Sequence, residues 1–121
     1  MAQELQVISD FYDLTHYLVG RISKFPRQHR YSLGTDMERR LQAILALLIR
    51  AKYAGAGGDK PGLLTAVNVE LEVLRFQLRL AKDLAVLPQQ GHGHALKLAA
   101  QVGVQVGSWL KAVRQSPRGK S

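Results

Sequence analysis

Apolar residues recur along this chain in alternating steps of three and four, and proline and glycine interrupt the pattern at four places. Pro26 follows Phe25. Gly55, Gly57, Gly58 and Pro61 cluster, as do Pro88, Gly91 and Gly93, and Pro117 and Gly119 punctuate the end. The pattern predicts four helices. The first runs from about Val7 to Lys24, with Ile8, Phe11, Leu18, Ile22 and Phe25 on one face, Thr15 at the missing step and Ser9 as N-cap. The second runs from about Thr35 to Ala54. Thr35 and Glu38 have the form of a capping box, and Met37, Leu41, Ile44, Leu48 and Ala51 form the stripe. Ala43 to Ile49 is apolar nearly all round, which calls for burial on every side.

The third segment, about Pro61 to Leu87, carries two apolar stripes. One is Leu64, Val67, Leu71, Leu74, Leu78, Ala81 and Ala85; the other is Val69, Val73, Phe76, Leu80, Leu84 and Leu87. At about 100° per residue they lie on nearly opposite sides of a helix. A monomeric bundle needs one buried face per helix, so the second stripe asks for a partner or for irregular packing inside a monomer. Between the stripes lies the row Asn68, Glu72, Arg75, Arg79 and Lys82, either a solvated face or a short basic ridge. The fourth segment, about Gly93 to Gln115, turns Ala95, Ala99, Val102, Val106, Trp109 and Val113 to one side. Gly103 and Gly107 lie one turn apart, which suggests close approach of another backbone. The fold expected is all-α, an antiparallel up-down four-helix bundle in one domain over residues 1–121, with a basic tail at 116–121. Val69, Val73, Phe76, Leu80, Leu84 and Trp109 are the candidate oligomer interface.

Charge adds a partner to this picture. The net charge is +8, which favours polyanions: RNA, DNA, an acidic protein or an anionic membrane. The basic residues are organised. Lys24, Arg27, Arg30, Arg39 and Arg40 bracket the first connection, and Arg75, Arg79 and Lys82 lead toward the same end of the bundle. From His92 onward Lys97, Lys111, Arg114, Arg118 and Lys120 stand without an acid. The longest apolar run is far short of the ~20 residues that cross a bilayer, so no membrane association is expected. The start of the chain lacks the basic opening of a signal peptide and there is no cysteine, which together fit a cytoplasmic protein.

Catalytic chemistry finds little footing. The nine acids are scattered, and no Ser–His–Asp grouping can be argued. His92-Gly-His94 lacks a partnered carboxylate or thiol and reads as a polar loop rather than a metal site. Gly55-Ala-Gly-Gly-Asp-Lys60 lacks the order of a phosphate-binding loop. No enzyme activity, metal or cofactor is expected.

Leu74-Arg-Phe-Gln-Leu-Arg-Leu80, Val106-Gly-Ser-Trp-Leu110 before a short basic tail, and Phe25-Pro-Arg-Gln-His-Arg-Tyr-Ser-Leu33 together resemble the accessory variability determinants of diversity-generating retroelements. The resemblance runs from about Phe11 to Arg118. It extends to the wider four-helix-bundle group that includes proteins encoded by intervening sequences in 23S ribosomal RNA genes. Those relatives carry an Ala-Glu-Gly piece where this chain reads Ile49-Arg-Ala-Lys-Tyr-Ala-Gly55. The first resemblance implies a homopentameric barrel of four-helix subunits that binds nucleic acid and the element's reverse transcriptase during mutagenic copying, without a catalytic centre. Arg75 and Arg79 match the arginines of the family's Leu-Arg-Phe segment. Lys24, Arg27, Arg30, Arg39, Arg40, Lys82, Lys111 and Arg114 join them as candidate contacts on charge alone. The alternatives are a ribosomal-intervening-sequence type of bundle and an oligomeric scaffold for an acidic protein.

Overall fold

A computed structural model describes residues 2–55 and 57–115. They form four long helices, α1 (Ala2–Ile22), α2 (Thr35–Tyr53), α3 (Lys60–Asp83) and α4 (Gln89–Gln115), with no strand among the described residues. Helices adjacent in sequence pack side by side, and α4 closes back on α1. Their directions alternate. Tyr17, late in α1, meets the ring of His94, early in α4, whereas Asp10, early in α1, accepts a hydrogen bond from Gln105 further along α4. The result is an antiparallel up-down bundle. The basic tail expected at 116–121 lies outside the described residues.

Each helix turns one stripe inward. Val7, Phe11, Leu14, Leu18 and Ile22 of α1 are buried, so its register at the start is set by Val7 rather than Ile8, which is only partly covered. In α2 the expected stripe Met37, Leu41, Ile44, Leu48 and Ala51 is fully buried. In α3 the first stripe faces the core, from Leu64 to Ala81. All buried side chains among the described residues are apolar. The core is therefore held by burial and close packing, with polar ties confined to the flanks.

Helix ends depart from the sequence reading for identifiable reasons. Ser9 is no cap, because α1 already starts at Ala2. Thr35 is no cap either. Its backbone is already helical (φ −62°, ψ −42°), since Pro26 opens a single helical turn, Arg27–His29, that passes through a π-helical turn, Arg30–Gly34, directly into α2. The Thr35 hydroxyl donates back to the Arg30 carbonyl, and the Ser32 hydroxyl to that of Gln28. Gly34 permits this path: a Cβ there would stand 2.8 Å from Ile22 Cγ2.

α3 ends at Asp83, short of the Leu87 that periodicity suggested. Ala85 takes a left-handed conformation (φ 62°), its N–H bonds Lys82 O, and Val86 N–H bonds Ala81 O. This is a Schellman stop built on alanine where glycine is the easy choice. It exposes Ala85 and swings Leu87 into the core, reversing the stripes assigned to both. α4 starts at Gln89, so His92 and His94 are helical residues and not a loop. Gly91 supplies the room that this early start needs, with Leu87 Cδ1 and the Tyr17 hydroxyl each 3.1 Å from where its Cβ would be.

Gly34 and Ala85 should respond oppositely to exchange. Gly34→Ala overpacks against Ile22 and is expected to cost about 1–3 kcal/mol. Ala85→Gly relieves the left-handed strain and should add about 0.5–1 kcal/mol. Urea denaturation of the two variants checks both signs.

Candidate nucleic-acid and partner-binding surface

The arginines divide by what their neighbours ask of them. Arg40 lies on the α2–α3 flank, its side chain only 20% exposed. It donates to Glu70 and Gln77 of α3 and to Asp36 of its own helix, and Gln77 also donates to Asp36. All three of its donor nitrogens are engaged. Arg40 is thus a tie between two helices, with three of its five N–H donors engaged inside the bundle. The hydrogen bonds from Arg40, and then from Gln77, hold the Asp36 carboxyl below its ordinary value of 3.8. A depressed carboxylate stabilises the fold above that ordinary value, and the contribution is lost as pH falls through the folded value. Neighbouring Arg39 is exposed and makes no such bridge; with Arg50 it edges a groove over Ala43, Ala46 and Leu47.

The α3–α4 flank is arranged differently. Arg75, Arg79 and Lys82 line a shallow cleft with Glu72, Phe76, His92 and Leu96. Arg75 reaches across onto α4. Its Nη2 lies 2.8 Å from the place a Cβ on Gly103 would take, and Nη1 pairs with Glu72 at 3.3 Å. Gly103 therefore makes room for an arginine side chain and not, as expected, for another backbone. Gly107 faces open space. Arg79 is well exposed, with Asp83 at the edge of pairing distance, 3.9 Å. Exposed pairs of this kind hold their cations weakly, so the row can exchange partners for a phosphate or a carboxylate.

His92, which the sequence places in a polar loop, is a helical residue lining this cleft. Its Nε2 is buried and lacks a hydrogen-bond partner. Burial, followed by the nearby Lys82 charge, lowers its pKa below the ordinary 6.5, against an opposing pull from Asp83. Burial thus favours the neutral ring.

The remaining candidate contacts lie at the two ends. Lys24 and Arg27 are exposed in the first connection, and Arg30 is folded back by a bond from Nη1 to Ser23 O, 3.3 Å. This end also holds the C-terminus of α3 and the N-terminus of α4. Lys111 and Arg114 are exposed near the opposite end. At 1.5 Å per residue along α4 they stand roughly 30 Å from His92, so the candidate cations form separate patches and not one site. Among the described residues no three of His, Asp and Glu are grouped to hold a metal. No helix among them is long and apolar enough to cross a membrane.

The candidate interface residues also divide. Val69, Phe76, Leu80 and Leu84 are exposed on the outer face of α3 (Phe76 by 60%), and Val73 is half-buried beside them. Trp109 does not belong with them. It is 3% exposed and packs in the core, because the α4 stripe that carries it is the inward one. The all-round apolar stretch of α2 is covered only in part, since Ala43 and Ile49 remain exposed.

These features define a basic four-helix bundle with one apolar helix face left outside. A family profile described as bAvd-like matches residues 5–113, and the chain belongs to that family, as expected for a protein of the accessory variability determinant type. No curated protein matches the chain.

The contrast between the arginines is measurable. Arg40→Ala strands Asp36, Glu70 and Gln77 and should cost about 1–3 kcal/mol of stability, whereas Arg39→Ala should stay within about 0.5 kcal/mol. Thermal and urea unfolding report both. For His92, an NMR titration of the ring is expected to find its midpoint below 6.5. The sign follows: the unfolded chain takes the proton more readily, so His92 contributes stability above 6.5 that is lost as pH falls through its folded value.

Proposed function

We propose that this protein is a non-catalytic accessory subunit of a diversity-generating retroelement, binding nucleic acid and the element's reverse transcriptase in support of mutagenic copying of a template repeat. The observation that carries the reading is the family match across residues 5–113. The geometry adds support, because Arg75, Arg79 and Lys82 share one flank beside an apolar face that a single bundle leaves uncovered. Binding is electrostatic in the main: the cations displace counterions from phosphates, with little reading of bases. The outer face of α3, through Val69, Val73, Phe76, Leu80 and Leu84, joins copies of the chain into a homo-oligomer, taken as the pentamer that the family resemblance implies. The cytoplasm is the expected compartment.

Titration of the protein with RNA, DNA and the reverse transcriptase over a range of salt concentrations tests the reading. Affinity for nucleic acid should fall steeply as salt rises, and the double change Arg75→Ala/Arg79→Ala should flatten the log–log slope by about 1–2 while leaving the helical content intact. A flat salt response in the wild type would remove the nucleic-acid role. Light scattering should give a multiple of the subunit mass that Phe76→Glu or Leu80→Glu reduces, and a wild-type monomer at micromolar concentration would remove the oligomer.

A further inference from the structure

The first connection carries an aromatic residue that the electrostatic reading leaves unused. Tyr31 lies in the π-helical turn and is 67% exposed. The Arg30 guanidinium lies over its ring, 5.1 Å from the centroid. Arg30 is itself held, by its bond to Ser23 O, and its Nε is buried without a partner. One side of the Tyr31 ring thus has a fixed cation beside it while most of the ring meets solvent.

The surroundings select the partner. Between Asp13 and Asp36 the chain has no acid, and Arg21, Lys24, Arg27 and Arg30 fall in that stretch. Tyr12 stands between Asp10 and Asp13. Tyr53 also lies under a cation, Lys52, in a stretch free of acid from Arg39 to Gly58, so Tyr31 differs from it in that its own cation is held in place, Arg30 by Ser23 O. An exposed aromatic ring flanked along the chain by cations suits a strand whose bases are free to stack. A duplex keeps its bases inside and offers the ring only sugar and phosphate.

We propose that Tyr31 is a stacking platform for one base of a single-stranded nucleic acid, with Lys24 and Arg27 meeting the flanking phosphates. Arg30 fixes the ring and adds its charge. The proposal rests on the nucleic-acid reading above and deepens it, because it makes the bundle end with Lys24, Arg27 and Tyr31 selective for single strands. The π-helical turn is what offers the ring. Gly34 of the same turn packs close to Ile22, whereas Tyr31 is exposed.

The test is fluorescence anisotropy with a labelled oligouridylate of roughly 12 nucleotides and an RNA duplex of the same length. Tyr31→Ala should weaken single-strand binding roughly ten-fold and duplex binding less than about two-fold. Tyr31→Phe should bind as wild type, and Tyr12→Ala should change neither affinity. Circular dichroism confirms the fold of each variant. Tyr31→Trp supplies a second reading, since its fluorescence should be quenched on adding the oligouridylate, against Trp109, which is buried in the core. Unchanged single-strand affinity in Tyr31→Ala overturns the proposal while the electrostatic reading stands. So does an equal loss on strand and duplex, or a loss confined to reverse-transcriptase binding. Failure of the wild type to bind either RNA overturns both.

Discussion

Everything in this molecule follows from one stripe of α3. Leu64, Val67, Leu71, Leu74, Leu78 and Ala81 are buried against the other helices, and that contact fixes the rotation of α3 about its axis. With the rotation fixed, every other row on the helix has an assigned direction. Gln77 and Glu70 face α2, where Arg40 meets them. Arg75 and Lys82 face α4, and Phe76, Leu80 and Val69 face away from the bundle. A slip of one residue would turn arginines toward the core and leave them without partners, at a cost no surface pairing could offset.

The two flanks of α3 show how one residue type takes two fates. Arg40 is surrounded by acceptors from two helices and uses three of its five N–H donors on them. Arg75 and Arg79 have only acids on their own helix within reach, on the exposed side. The first arrangement stiffens the bundle, and the second leaves a row of charge with partners that are easily exchanged.

Much of the fold was legible in the sequence because a bundle is a statement about periodicity. Four segments, their order, the inward stripe of α2 and the doubled stripe of α3 could all be read from apolar spacing. The ends could not, because they depend on contacts between helices. Thr35 looked like a cap only because the π-helical turn before it carries no sequence signal of its own. Gly91 and His92 looked like a loop because the room that glycine gives to Leu87 and Tyr17 is a tertiary fact. The candidate site was legible in its outline and less so residue by residue. Charge spacing gave the α3 row, but it could not separate Arg40 from Arg39, since the distinction lies in Glu70 and Gln77, some thirty positions or more away. Trp109 suggested an interface by its type, whereas its position on the α4 stripe placed it in the core.

The notch at Gly103 has a consequence for how this surface spends conformational freedom. A free arginine on a helix face samples many rotamers, and any ligand that immobilises it must offset that lost entropy. Arg75 lies against the bare backbone of α4 at Gly103 and beside Glu72, so much of that freedom is already lost when the chain folds. An anion that takes over from Glu72 meets a guanidinium already oriented, while one that binds Arg79 must still order a side chain in solvent. A missing side chain on one helix thus pre-organises a present one on the next, and two arginines a single turn apart differ in what they offer for the same charge.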